Sequence, residues 1–171
     1  MRKTLLAILS LILSGCHGYP KAVTPVTGFD IERYLGKWYE IARLDHSFER
    51  GLEQVSANYS LLENGRVEVV NRGFSKSSNE WKEAVGKAYF VRKSDEGYLK
   101  VSFFGPFYSS YVIFGLDQKS YQYAFISGPS ESYLWLLSRT PSVEKDVIDL
   151  FVKTAGDMGF KTEELIYVNQ Q

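Results

Sequence analysis

From residue 29 onward the chain is a succession of short β-forming runs, each closed by a turn cluster. The runs fall at 36–44, 54–62, 66–74, 81–91, 98–104, 111–116, 121–127 and 133–138. They are rich in Val, Ile, Tyr, Phe and Trp, which fit a pleated, half-buried surface. Between them stand Glu63-Asn64-Gly65, Asp95-Glu96-Gly97, residues 117–119 and Gly128-Pro129-Ser130. Asn64-Gly65 is a hairpin turn signal, because both residues tolerate positive φ. Eight consecutive strands joined by short turns leave two open edges unless the sheet rolls up and closes. The expected class is therefore all-β, an eight-stranded antiparallel up-and-down β-barrel. No internal repeat and no second linker interrupts residues 29–171, which read as one domain. Aromatic residues make up 15% of the chain, more than a small core needs, and that excess suits a lined cavity.

One segment departs from the strand pattern. After Thr140-Pro141, apolar residues recur at Val143, Val147, Ile148, Leu150, Phe151, Ala155 and Met158, which places them on one face of a helix. Pro141 or Ser142 marks its start and Gly159 its stop. A short run at 165–168 follows as a final strand. The helix is expected to pack outside the barrel.

The first fifteen residues stand apart. Arg2 and Lys3 precede the apolar run LLAILSLIL at 5–13, too short to span a membrane as a mature helix. Leu13-Ser14-Gly15-Cys16 then resembles the lipobox of bacterial lipoprotein signal peptides. That resemblance implies cleavage before Cys16, with lipidation of the cysteine and acylation of the new N-terminus. Cys16 is the only cysteine and can close no intramolecular disulfide. Several acyl chains anchor stably where one holds only marginally. His17, rather than Asp, after the cysteine resembles the sorting pattern for the outer membrane, with the domain facing the periplasm. Without residues 1–15 the chain carries 20 − 2 = 18 basic residues against 20 acidic ones, no basis for binding nucleic acid. Residues 16–28 then comprise the lipidated cysteine and a tether: HGYPKAVTPVTG has two prolines, two glycines and little periodicity. Fully extended, it would hold the domain on the order of 30 Å from the bilayer.

Three motifs carry a resemblance over the whole mature domain. Gly36-x-Trp38-Tyr39, with Phe29-Asp30 and Tyr34-Leu35 before it, resembles the first motif of the lipocalin family. Asp117…Tyr121-x-Tyr123-Ala124 is similar to the second in looser form, and Leu137-Ser138-Arg139-Thr140-Pro141 matches the third. The stretches WYEIARLDHSFERG and VSFFGPFY resemble the bacterial outer-membrane lipoprotein lipocalins in particular. The resemblance implies that Trp38 plugs one barrel end with Arg139 stacked across it. Gly36 would let the N-terminal segment cross beneath. It also implies a cavity for fatty acids or lysophospholipids.

Alternation supplies the inner face. Val55, Ala57 and Tyr59 share one side of the second run, and Val67 and Val69 one side of the third. Ala84, Gly86, Ala88 and Phe90 follow on the fourth, Leu99, Val101 and Phe103 on the fifth, and Phe125, Trp135 and Leu137 on the late runs. The ligand-contacting set expected from this is Ala57, Tyr59, Val69, Ala88, Phe90, Val101, Phe103, Phe125, Trp135 and Leu137. Ala57, Ala84, Gly86 and Ala88 are small where a filled core would want Leu or Ile, leaving room for an acyl chain. Arg72, Arg92 and Lys93 are candidates for a head group at the mouth. Glu40 has two readings, a buried carboxylate with a local partner or an outward residue beside a bulge. FFGPFY at 103–108 has three: a cover for the barrel end, a contact within a homodimer, or a contact with the membrane.

Nothing points to catalysis. His17 and His46 are the only histidines, so the domain offers no two-histidine metal site, and no cofactor is expected. There is no G-x-S-x-G elbow. His46 with Asp45 and Ser47 would be a triad of near-adjacent residues, which rarely attains the required geometry. A lipid-binding protein that binds, stores or carries acyl lipids at the outer membrane is the leading class. An envelope interaction scaffold and a lipid-processing enzyme are the alternatives.

Overall fold

The computed structural model describes residues 18–171; the signal-peptide and Cys16 readings lie outside that range. Eight antiparallel strands run in chain order: β1 (Gly36–Arg43), β2 (Leu52–Leu61), β3 (Val67–Ser75), β4 (Glu80–Phe90), β5 (Tyr98–Phe104), β6 (Phe107–Leu116), β7 (Tyr123–Ser127) and β8 (Leu134–Ser138). Each pairs with the next, and β1 pairs with both β2 and β8, which closes the barrel. A single helical turn, α1 (Ile31–Tyr34), precedes β1 and is capped by Asp30, whose carboxylate accepts from the Glu32 amide. The helix α2 (Lys145–Asp157) follows the barrel, and β9 (Ile166–Tyr167) pairs with β1.

The closure is uneven along β1. Its first half pairs with β2, from Gly36 opposite Tyr59 to Tyr39 opposite Ser56. Beyond that the two strands part, and the C-terminal tail fills the gap. Val168 donates to Ile41, Gln54 donates to Asn169, and the Gln170 amide bridges the Glu40 and Val55 carbonyls at 2.6 and 2.9 Å. Backbone groups that would otherwise be stranded are thus paired by the last residues of the chain.

Side chains divide into two apolar clusters separated by the sheet. One lies outside, where Phe151 and Ala155 of α2 and Phe160 beyond it pack on Ala42, Phe114, Phe125, Leu134 and Leu136. The other lies within, centred on Trp38, Tyr34, Phe29, Ile113 and Ala124 at one barrel end. There Trp38 is fully buried, its indole donating to the Tyr34 carbonyl at 2.8 Å. The Arg139 guanidinium sits 4.0 Å from the indole centroid and donates to the carbonyls of Lys37, Arg33 and Tyr121. Gly36, at φ +91°, a backbone conformation that favours glycine, turns the chain from α1 into β1 beside Arg139.

Residues 18–28 do not form the extended tether expected from their composition. Val23 is buried in the outer cluster, Val26 exchanges backbone bonds with Gly97 and Ile113, and Tyr19 meets Tyr98 edge-on at 4.9 Å. Prolines and glycines here shape a strap laid along the outer wall of β5 and β6. Its apolar residues, too few to show a period, supply the contacts.

Glu40 is both a buried carboxylate and a neighbour of a bulge. The register of β1 against β8 slips between Glu40 and Ala42, so Trp38, Glu40 and Arg43 stay on the inner side while Ile41 and Ala42 join the outer cluster. Arg43 is fully buried; its Nη1 donates to Glu40 at 2.6 Å and its Nη2 to the Glu49 carbonyl at 3.0 Å. Burial, reinforced by the nearby Glu49 charge, pushes the Glu40 carboxyl well above the usual carboxylate range, against the pull of Arg43.

Two outcomes are expected. Arg139→Met should lower stability by about 2 kcal/mol, through the lost cation–π contact and carbonyl bonds. That corresponds to a fall of roughly 4–8 °C in melting temperature by calorimetry. For Glu40, the unfolded chain releases its proton near the ordinary value while the folded chain keeps it, so stability falls as pH rises through that window. The stability of the native chain relative to Glu40→Gln should therefore decline as pH rises above the ordinary carboxylate range of about 4–4.5, measured by urea unfolding. A difference that is flat or rises with pH would refute the assignment.

Candidate functional site

Strand direction sets the two ends of the barrel. The turns after β2, β4 and β6 gather at the end closed by Trp38, Arg139 and α1. The loops after β1, β3, β5 and β7 surround the other end, which is open. Between them lies a cavity of about 590 Å³, within the range of small-molecule sites.

Of the residues expected inside, Ala57, Tyr59, Val69, Ala88, Val101, Phe103, Trp135 and Leu137 line this cavity, together with Val55, Val67, Ala84 and Leu99. Phe125 does not. It stands opposite Leu136 on the outer side of the sheet, with its ring 5.1 Å from that of Phe151 on α2. Its neighbours Ala124 and Ile126 face inward instead. Phe90 points to the interior but is shut below the cavity, against the ring of Phe29 at 6.1 Å, where the N-terminal segment crosses the closed end. Gly86 leaves no free space either: a Cβ there would lie 2.8 Å from the Phe103 ring, which already covers it.

The head-group candidates also separate. Arg92 and Lys93 lie in the turn after β4, at the closed end, and Arg92 is paired with Glu96 and bonded to the Tyr19 hydroxyl. Arg72 touches the cavity near its opening, but its guanidinium stacks outward on Trp81 at 4.3 Å. Lys82, which the sequence does not single out, borders the same opening.

The floor is a chain of three phenols. The Tyr111 hydroxyl lies 2.7 Å from that of Tyr34 and 2.8 Å from that of Tyr59, and burial raises the pKa of all three. They remain neutral and satisfy one another, and all three line the cavity. Toward the mouth, one wall is polar. The Glu49 carboxylate accepts from the Trp135 indole at 3.1 Å and lies 3.0 Å from His46 Nε2. Burial pushes Glu49 up, but His46, Trp135 and Arg43 together outweigh it and hold it below the usual range. The His46 contact is close without hydrogen-bond alignment, and neither ring nitrogen has an aligned partner. The ring is held instead by stacking on Phe48 at 4.0 Å and by contact with Trp135.

Asp45 turns to solvent and pairs with Arg50 at 2.7 Å, while Ser47 is exposed. The three residues considered for a triad are therefore not assembled. Phe48, Glu49, Pro129 and Tyr133, which line the mouth from its loops, had no signal in alternation because loops have no period. Tyr111 and Ile126 could have been found by extending the strand phase.

A lipocalin-like domain model matches residues 29–170. The chain is 58% identical over 171 residues, the whole of both proteins, to the outer membrane lipoprotein Blc of Vibrio cholerae. It is 47% identical over 151 residues to the protein of that name from Escherichia coli K12, covering 88% of this chain and 85% of the other. Among solved structures, insecticyanin from the tobacco hornworm Manduca sexta superposes with a TM-score of 0.70 at 22% identity, covering 89% of this chain and 86% of that one. Family and relatives alike are those of a binding protein rather than an enzyme. The chain belongs to the lipocalin family.

Proposed function

We propose that this chain is an outer-membrane lipoprotein, anchored through Cys16 and facing the periplasm, that binds, stores or carries single-chain acyl lipids. The ligands are fatty acids or lysophospholipids. The observation that carries this reading is the cavity itself: open at one end, floored by neutral phenols and lined mostly by apolar side chains. Similarity along the whole chain to an outer membrane lipoprotein supports the location. Each buried methylene contributes about 0.8 kcal/mol, so a long chain gains roughly 10 kcal/mol before ordering costs.

Charge favours entry tail first. Glu49 is held ionised on the inner wall, and Arg43 is already engaged by Glu40 and by backbone carbonyls. An anionic head deep inside would meet the Glu49 carboxylate, and among the described residues the cation beside it, Arg43, already faces that carboxylate and is held by other hydrogen bonds. At the mouth, Lys82 is available to a carboxylate or phosphate.

A native mass spectrum of the full chain extracted in mild detergent should carry added masses of fatty acids or lysophospholipids, and it reads a homodimer in the same measurement. A bare protein that also binds no fluorescent fatty acid would overturn the carrier reading. Ala88→Phe, which fills the middle of the cavity at a cost of about 1–3 kcal/mol in stability, should weaken fatty-acid binding at least about tenfold. Lys87→Ala, its neighbour on the outer face of β4, should leave binding unchanged in the same titration.

A further inference from the structure

The β5–β6 hairpin ends in two phenylalanines that none of the described residues covers. Phe104 and Phe107 are 79% and 78% exposed, beside the cavity mouth that they border. Just behind them on the outer wall, Tyr108 and Tyr89 are partly exposed and meet edge-on at 5.2 Å. Tyr89 lies opposite Lys100, and Lys100 donates to Ser110. Aromatic rings of this kind, with phenols behind phenyls and an ammonium behind those, match the gradient from hydrocarbon to head groups at a bilayer surface.

The strap says what meets this tip. It leaves the closed end at Thr27, bridged to Glu96, and climbs the outer wall of β5 and β6. At its far end, a Cβ built on Gly18 would lie 2.6 Å from the Tyr98 hydroxyl, 3.0 Å from Ser110 Oγ and 3.1 Å from Lys100 Nζ. Cys16 is two residues further along the chain, a span of at most about 7 Å in any conformation. From Lys100 to Phe104 is four strand residues, about 13 Å. The described chain therefore begins on the same wall as the phenylalanine tip, and an acyl anchor two residues before it would be within reach of the same bilayer surface.

We infer that the β5–β6 wall is a membrane-docking face, in which Phe104 and Phe107 enter the same lipid leaflet as the acyl chains on Cys16. The cavity mouth then opens at the bilayer surface. The inference rests on the lipidation of Cys16 and not on the identity of the cargo.

The test uses the full lipidated chain reconstituted in phosphatidylethanolamine–phosphatidylglycerol vesicles, after its mass has shown the acyl groups. Phe107→Trp is compared with the native chain and with Leu150→Trp on the exposed side of α2. With lipids brominated at shallow acyl positions, the added Phe107→Trp emission should be blue-shifted and lose at least half its intensity, whereas that of Leu150→Trp should not change. Water-exposed emission from Phe107→Trp would overturn the proposal. Blue-shifted emission insensitive to bromine would also overturn it, because the tip would then be covered by a second copy. A mature chain without acyl groups would remove its premise, while fatty-acid binding by that same chain would leave the carrier reading standing.

Discussion

The stacking of Arg139 on Trp38 decides what kind of barrel this is. An eight-stranded barrel that is open at both ends would be a short wet tube, and one filled throughout would be a packed core. Here an indole occupies one end, and a guanidinium outside it ties together three carbonyls from α1, β1 and the turn before β7. Segments distant in sequence are thereby fixed around one flat ring. The apolar packing around Trp38 then stops at the level of the three phenols, and everything above them is left free. The cavity exists because the stopper is confined to one end.

Above the floor, size matters more than hydrophobicity. Ala57, Ala84 and Ala88 leave volume that Leu or Ile would have filled, and Phe103 takes back only the portion over Gly86. The polar wall is held by pairwise contacts, Arg43 with Glu40 and Glu49 with Trp135, while His46 is held by its ring faces. Removing one partner from such a set strands another in a low-dielectric site, the more costly error. The bulge in β1 is what allows it, since strict alternation would have sent Arg43 to the outer cluster and Ala42 to the interior.

Much of this could be read from the residues, and the failures have physical causes. Period-two alternation located the strands and the inner faces of β2 to β5, because one face of each is buried against a different medium from the other. Phe125 was misassigned because alternation within one short, apolar strand does not say which phase faces inward; its phase, set by Leu136 opposite, put it under α2. The strap was misread because its composition is that of a linker; its burial depends on Tyr98 and Ile113, partners more than seventy residues away. Glu40 could not be resolved from spacing, since a bulge leaves no signature in a sequence. The mouth was illegible for a related reason: its residues come from loops, whose conformation is set by the strands they join.

The position of the strap changes what the cavity can accomplish. A barrel held on a long free tether would receive its ligand through water, where a fatty acyl chain must expose every methylene, at about 0.8 kcal/mol each, before it is buried again. For a long chain that intermediate lies roughly 10 kcal/mol uphill, slowing transfer by several orders of magnitude. A mouth laid against the bilayer shortens the exposed stretch to the few methylenes crossing the rim at any moment. The tip aromatics, costly to leave in water, would there cover that rim. On this view the anchor is more than a mooring: by running the chain up the wall instead of away from it, residues 18–28 would align the open end of the barrel with the source of its cargo.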